Sequence, residues 1–248
     1  MTDDRPADIA DDFWGRTSGS PSFPRDVETA AADAGLPVAF VSIPGLTVER
    51  AQAWMAQRHA AFQFLCRERV LRGCIVAVRG TAAIFTDTND SEDECRFTQA
   101  HEVAHYLRDY ERPRQNALAA FGPAIQAVLD GDRPPTPAER VHAALAGVAL
   151  GAYSDLLGRD EAGRAGQATT LAAELRADHL AMHLLAPPDA VLAHLPGHPG
   201  ETERSAFGYA GVRLLCETFG LPEWAARDYG RRLWADWHRP DSRRWLGL

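Results

Sequence analysis

Apolar positions along this chain follow two periods. Short apolar runs rich in β-branched residues predict strands at Val38-Ala39-Phe40-Val41-Ser42-Ile43, at Gly73–Arg79 and at Ala82–Thr86, the last two joined by a Gly80-Thr81 hairpin turn. Phe97, Ala100, Val103, Ala104 and Leu107 recur at helical spacing. A second long helical stretch runs from Leu171 to Leu185. A short helix is expected near Ile9–Trp14. Another is expected over Pro24–Gly35, with Pro in its first turn and Gly at its end. A further helix starts at a cap on Thr47 or its neighbour and runs to about Arg67. Beyond the Phe97–Leu107 stripe, helices are predicted at about 114–129 and from Pro137 to Gly158, separated by Pro134-Pro135-Thr136-Pro137. Val141, Leu145, Val148 and Ala152 give the second of these a stripe for packing, and Tyr153 and Asp155 sit near its end. A loop at 158–167 and a Gly-Pro loop at about 194–202 follow. Two helices, roughly 203–219 and 222–238, then meet at Gly220-Leu221-Pro222.

This order divides the chain into an N-terminal helix and linker (1–23), a central mixed unit (24–200) and a C-terminal helical hairpin (201–248). With 248 residues it can bury a sizeable core. Its 46% apolar and 24% charged residues are those of an ordinary soluble protein, and no apolar run approaches the length of a membrane span. The acidic start, Met1-Thr2-Asp3-Asp4-Arg5-Pro6, has no apolar core, so no secretion signal is expected and the expected location is cytoplasmic. The four cysteines show no C-x-x-C spacing and read as free thiols. A net charge of −8 argues against direct nucleic-acid binding and is compatible with a basic protein partner. Residues 27–57 superficially look like a DNA-reading helix-turn-helix, but the run after Gly35 fits helix-to-strand better. The tryptophans of the C-terminal end, Trp224, Trp234, Trp237 and Trp245, are expected to serve packing rather than protein contact.

The chemistry concentrates in His101-Glu102-Val103-Ala104-His105, an H-E-x-x-H motif. On a helix, residues four apart lie one above the other, so two imidazoles at this spacing can share a metal ion, and the Glu between them can reach a water on it. Imidazole nitrogen suits zinc, and the implied chemistry is metal-assisted hydrolysis. A catalytic zinc usually takes a third protein ligand. Glu174 and Asp178 offer a carboxylate face on the 171–185 helix, where the small Ala177 and Ala181 allow close approach. Glu174 then ligates the ion, and Asp178 accepts a hydrogen bond from the far nitrogen of a metal-bound His. The same helix carries a competing imidazole face, His179 and His183. Only one of the two faces can meet the metal, and the small residues favour Glu174. Tyr153, His179 and Tyr209 are candidates to stabilise an oxyanion.

Two segments carry a family resemblance. Arg96-Phe97-Thr98-Gln99-Ala100-His101-Glu102-Val103-Ala104-His105 resembles the R-F-T-x-A-H-E-x-x-H of the ImmA/IrrE family of bacterial zinc metallopeptidases. Glu174-Leu175-Arg176-Ala177-Asp178-His179-Leu180-Ala181, followed by Leu184-Leu185-Ala186-Pro187, resembles its E-x-x-A-[DN]-x-x-A and L-L-x-P. The resemblance implies an α+β fold with a zincin-like metallopeptidase core, a small β-sheet beside the H-E-x-x-H helix and a C-terminal helical region. The edge strand of such a sheet can hold an extended substrate by main-chain hydrogen bonds. It implies zinc on His101, His105 and Glu174, Glu102 as general base, and a partner that is a protein substrate, a DNA-binding helix-turn-helix repressor whose cleavage regulates transcription or a stress response. His105 and Glu174 lie farther apart than in that family, because of a helical insert at about 110–168. Two other readings stay open: a noncatalytic metal-bound regulatory protein, and a zinc hydrolase with a small substrate.

Overall fold

The structure, a computed structural model, describes residues 5–19, 22–60, 62–146, 153–158, 168–195 and 204–238. Four strands form one sheet in the order β1 (Val38–Ile43), β3 (Thr81–Asp87), β2 (Leu71–Val78), β4 (Tyr153–Gly158). β1 runs parallel to β3, while β2 is antiparallel to both β3 and β4. The hairpin turns on Arg79 and Gly80, one residue earlier than the sequence pattern suggested. Both adopt positive φ (54° and 82°), which suits the twist of a two-residue β-hairpin.

Side chains alternate across a sheet, and here both faces are covered. Ile75, Ala77, Ala82 and Ile84 face α4 (Glu92–His105), α8 (Ala168–Leu185) and α1 (Pro6–Gly15). Cys74, Val76, Ala83 and Phe85 face α3 (Val48–Gln57) and Phe64. The mixed helix and sheet content expected from the pattern is therefore found, with a small sheet beside the H-E-x-x-H helix.

Three acidic residues, Glu92, Asp93 and Glu94, fill the first turn of α4, where the helix dipole favours negative charge. Ala177 and Ala181 of α8 are fully buried against it. Past His105 the helix widens into a π turn (Tyr106–Glu111) and continues as α5 (Arg112–Phe121). α1 is tied to the end of α8: the Trp14 indole donates to the Leu184 carbonyl (3.1 Å), and Arg25 donates to the same oxygen (2.8 Å) while lying over the Trp14 ring.

α2 (Val27–Asp33) starts later than Pro24, because Asp26 accepts the Thr29 N–H (3.0 Å) and caps it there; Gly35 ends it at φ 68°. Thr47 caps α3 as expected. That helix stops at Gln57 rather than near Arg67. His59 turns the chain at φ 53°, and the Gln52 side chain binds the main chain of Phe62 and Phe64, holding them in an extended path. The helix expected over 114–129 breaks at Gly122 (φ 72°) into α5, a 3-10 turn (Pro123–Ile125) and α6 (Gln126–Leu129).

The larger correction concerns 137–158. α7 spans only Pro137–Ala146, and Tyr153–Gly158 is the edge strand β4. The insert is thus not wholly helical. Tyr153-Ser154-Asp155-Leu156-Leu157 can place alternate side chains on two faces, and the open edge of β2 supplies a pairing that local periodicity cannot register. Val141 does not pack as expected: it is 59% exposed, and Ala143 is buried in its stead. The side chains of Leu145, Val148 and Ala152, Trp245, the loop after 158 and most of the Gly-Pro loop at 194–202 lie outside the described residues.

α9 (Pro188–His194) leads to the C-terminal hairpin of α10 (Arg204–Glu217) and α11 (Glu223–Trp237). Its Leu215, Phe219, Leu221, Tyr229 and Leu233 form one core with Met182 and Leu185 of α8 and Phe97 and Ala100 of α4. No described helix is long and apolar enough to cross a membrane.

Candidate metal centre

The last turn of α4 brings His101 and His105 together. Both rings are fully buried, with their Nε2 atoms 3.2 Å apart. Each ring is fixed from behind. His101 Nδ1 lies 2.9 Å from Asp178 Oδ1, as expected, and His105 Nδ1 lies 2.8 Å from Asp109 Oδ2. An ionised carboxylate only accepts hydrogen bonds, so each Nδ1 carries a proton and each Nε2 presents a lone pair to the other. Two opposed lone pairs at this distance require a proton or a metal ion between them.

Carboxylates surround the same point. Glu174 Oε2 is 3.5 Å from His101 Nε2, and its Oε1 is 3.7 Å from His105 Nε2. Asp155 Oδ2 is 3.6 Å from His105 Nε2. One ligand atom from each of His101, His105, Asp155 and Glu174 falls within a 4.8 Å cluster. Two imidazoles and two carboxylates are a donor set that zinc accepts, and the group fits a divalent cation.

Without a metal the cluster holds protons. Burial lowers the basicity of His101, but its bonds to Asp178 and Glu174 outweigh that and raise its pKa well above the usual value. Burial raises Asp155 to about 6, with the nearby imidazoles opposing and Glu174 adding to the rise. Burial likewise works against ionised Glu174, yet the imidazoles win and lower its pKa. A metal ion entering this site must displace the bound proton.

Glu102 sits on the same turn of α4 and is fully buried, and neither of its carboxylate oxygens has a hydrogen-bond partner among the described residues. Its pKa is well above the ordinary value. Burial is the main cause, His101 pulls it back, and Asp155 and Glu174 push it further up. The carboxylate lies against β2 at Gly73, where a Cβ would come within 3.0 Å of Oε1.

β4 delivers the remaining groups. Asp155 pairs with Ile75 and Tyr153 with Ala77, so both side chains share the face that looks at α4. The Tyr153 hydroxyl is 2.9 Å from His105 Nδ1 and 3.4 Å from Asp109 Oδ2. Because the Nδ1 proton goes to Asp109, the hydroxyl donates to that carboxylate. Burial and the neighbouring carboxylates keep the phenol protonated. Tyr153 therefore stands behind His105, not on the Nε2 side, and is no oxyanion donor in this arrangement.

The other two oxyanion candidates are also misplaced. His179 lies on the flank of α8 that meets α11, its ring 4.9 Å from His183, with Arg232, Asp236 and Asp228 for charged neighbours. Tyr209 is 75% exposed on α10. His183 packs near Tyr229 and is held neutral, its pKa lowered to about 4 by burial and by His179. The imidazole face of α8 thus turns away from α4, and the carboxylate face meets it.

Two participants escaped sequence reasoning. Asp109 follows His105 by one helical turn, a spacing visible in the sequence. Asp155 was visible only as a residue near a helix end. A strand reading of 153–158 would have put it and Tyr153 on one face. Comparisons with family profiles, curated proteins and solved structures returned no match.

Proposed function

We propose that this chain is a zinc-dependent endopeptidase that hydrolyses a peptide bond in a regulatory protein. The observation that carries the reading is Glu102, a fully buried carboxyl group without a hydrogen-bond partner among the described residues, on the same helical turn as two converging imidazoles. Burying an unpaired carboxylate is costly, and a purely structural metal site has no use for one. The resemblance of Arg96–His105 and Glu174–Ala181 to the ImmA/IrrE metallopeptidases supplies the zincin-like description of the core. It also supplies the substrate class, a helix-turn-helix repressor.

His101, His105 and Glu174 would hold the ion. When bound, zinc supplies positive charge that acidifies water and polarises a scissile carbonyl. Glu102 takes a proton from water and returns it to the leaving amine. Asp178 and Asp109 fix both imidazole tautomers, and Tyr153 steadies Asp109 through its hydroxyl. One observation favours a second reading. Asp155 makes four protein groups around the centre, a number more common in structural zinc sites than in catalytic ones. That reading is a metal-bound regulatory protein without turnover.

Incubation with a panel of helix-turn-helix repressors, with and without chelator, separates the two. Cleavage by the zinc-loaded chain, stopped by chelator, is expected. Glu102→Gln should bind zinc normally and lose about 100-fold or more of the rate. An unchanged rate in Glu102→Gln removes the endopeptidase reading.

A further inference from the structure

β4 is supplied by the segment between the two metal-binding helices, and it adds to the edge of the sheet. It lies antiparallel on β2, in register from Leu71 opposite Gly158 to Ala77 opposite Tyr153. An extended peptide recognised by edge addition would make the same kind of main-chain pairing. β2 is also the strand on which Glu102 rests, at Gly73. From β4 the Asp155 carboxylate reaches the imidazole pair, its buried Oδ2 3.6 Å from His105 Nε2 and without a hydrogen-bond partner among the described residues, while the same carboxylate also bonds to the Glu174 side chain. A three-ligand catalytic zinc keeps its fourth place for water or substrate, and Asp155 stands among the three expected ligands.

Building on the hydrolase reading, we propose that β4 is an internal occupant of the substrate position. Asp155 takes the fourth place on the metal and β4 takes the edge of β2, so this form of the protein is closed. The centre opens when β4 leaves the edge and withdraws Asp155. A peptide substrate competes with β4 for the same main-chain groups, and any partner that draws β4 away acts as an activator. The register links the two: β4 leaving the edge breaks the pairs on either side of Asp155, Ser154 with Val76 and Leu156 with Cys74, and carries its carboxylate away from the imidazoles.

The test uses the full chain loaded with cobalt, whose visible absorption reports coordination, and acetohydroxamate as the added ligand. In the parent protein acetohydroxamate should change the spectrum weakly. In Asp155→Ala it should bind about tenfold or more tightly, and the starting spectrum should already differ from the parent's. Asp155→Asn keeps the side-chain shape and should behave in the same direction, which guards against a fold defect in the alanine variant. Equal acetohydroxamate affinity and identical cobalt spectra in parent and variants overturn the closed-centre proposal and leave the hydrolase reading intact. So does loss of cobalt from Asp155→Ala while Glu174→Ala keeps it, since Asp155 would then be a primary ligand. Absence of cobalt binding by the parent chain removes the hydrolase reading itself.

Discussion

Gly73→Ala places a methyl group where α4 crosses β2. The added Cβ would lie 2.4 Å from Thr98 Cγ2, 3.0 Å from Glu102 Oε1 and 3.1 Å from the Phe85 carbonyl oxygen. The first contact is far inside van der Waals distance, and Thr98, 2% exposed on the helix, has little free space to turn into. The carbonyl belongs to β3 and is fixed by the sheet. Either α4 lifts from the strand or β2 bends, and overpacking of this kind costs about 1–3 kcal/mol. The close contact with a threonine methyl places the cost near the top of that range, about 3 kcal/mol. Urea unfolding of the metal-free protein measures it as a shift in midpoint at constant slope. Thr98→Ser removes only Cγ2, at a cost of about 1 kcal/mol by itself. The double variant should be less destabilised than the sum of the singles by about 1–2 kcal/mol, a favourable coupling between touching residues. The contacts to Glu102 and Phe85 remain, so rescue is partial, and metal affinity should stay below that of the parent. A Gly73→Ala cost under about 0.5 kcal/mol, or strict additivity with Thr98→Ser, would show that α4 does not seat on β2 at this point.

Glu174→Ala should lose most of its zinc in equilibrium dialysis, whereas His183→Ala should keep it; the reverse result would move the site to the other face of α8. Asp178→Asn and Asp109→Asn each leave the rings in place but weaken the bond that sets the tautomer. A loss of about 10- to 100-fold in zinc affinity is expected for each, read by competition with a chromogenic chelator. Stability of the metal-free protein should fall as pH rises. Asp155 has a folded pKa raised from 3.8 to about 6, so its contribution is full below the unfolded value and lost as pH climbs through 6. That contribution is about 3 kcal/mol at most. His101 is also raised, and its contribution disappears as pH climbs above 6.5 through its folded pKa. Zinc should therefore stabilise more at pH 8 than at pH 5.5, and thermal unfolding with and without metal at the two values checks the sign.

Local pattern carried three of the four strands and the convergence of the two histidines well. Val38–Ile43 is β1 residue for residue, and Thr47 is the cap of the two positions considered, because both depend on neighbours a few positions away. His101, His105 and Glu174 were legible for a similar reason: a helix converts a spacing of four into a shared face, and small residues mark where two helices approach. What failed was non-local. Nothing near Tyr153 states that an unfilled sheet edge waits some 80 residues upstream, so a helical period was extended through a segment that pairs instead. Asp155 was misjudged with it, since its direction depends on the strand. The end of α3 failed likewise, because Gln52 reaches forward to hold Phe62 and Phe64, and a side-chain bond of that sort leaves no periodic trace. Tyr153, His179 and Tyr209 were nominated by residue type alone, and type says nothing about which side of a ring a hydroxyl will occupy.

The C-terminal hairpin also grips the front of the metal helix. Trp224 stacks edge-on against Phe97 and donates to Glu94 (3.0 Å), and Arg96 donates to the Gly220 carbonyl (3.2 Å). Phe97 is one turn before His101. A partner bound to the hairpin would pull on the same lever that aims the first imidazole, and a metal ion whose affinity that pull changed would, by reciprocity, change how tightly the partner is held. An instrument reading one end of this molecule can report on the other.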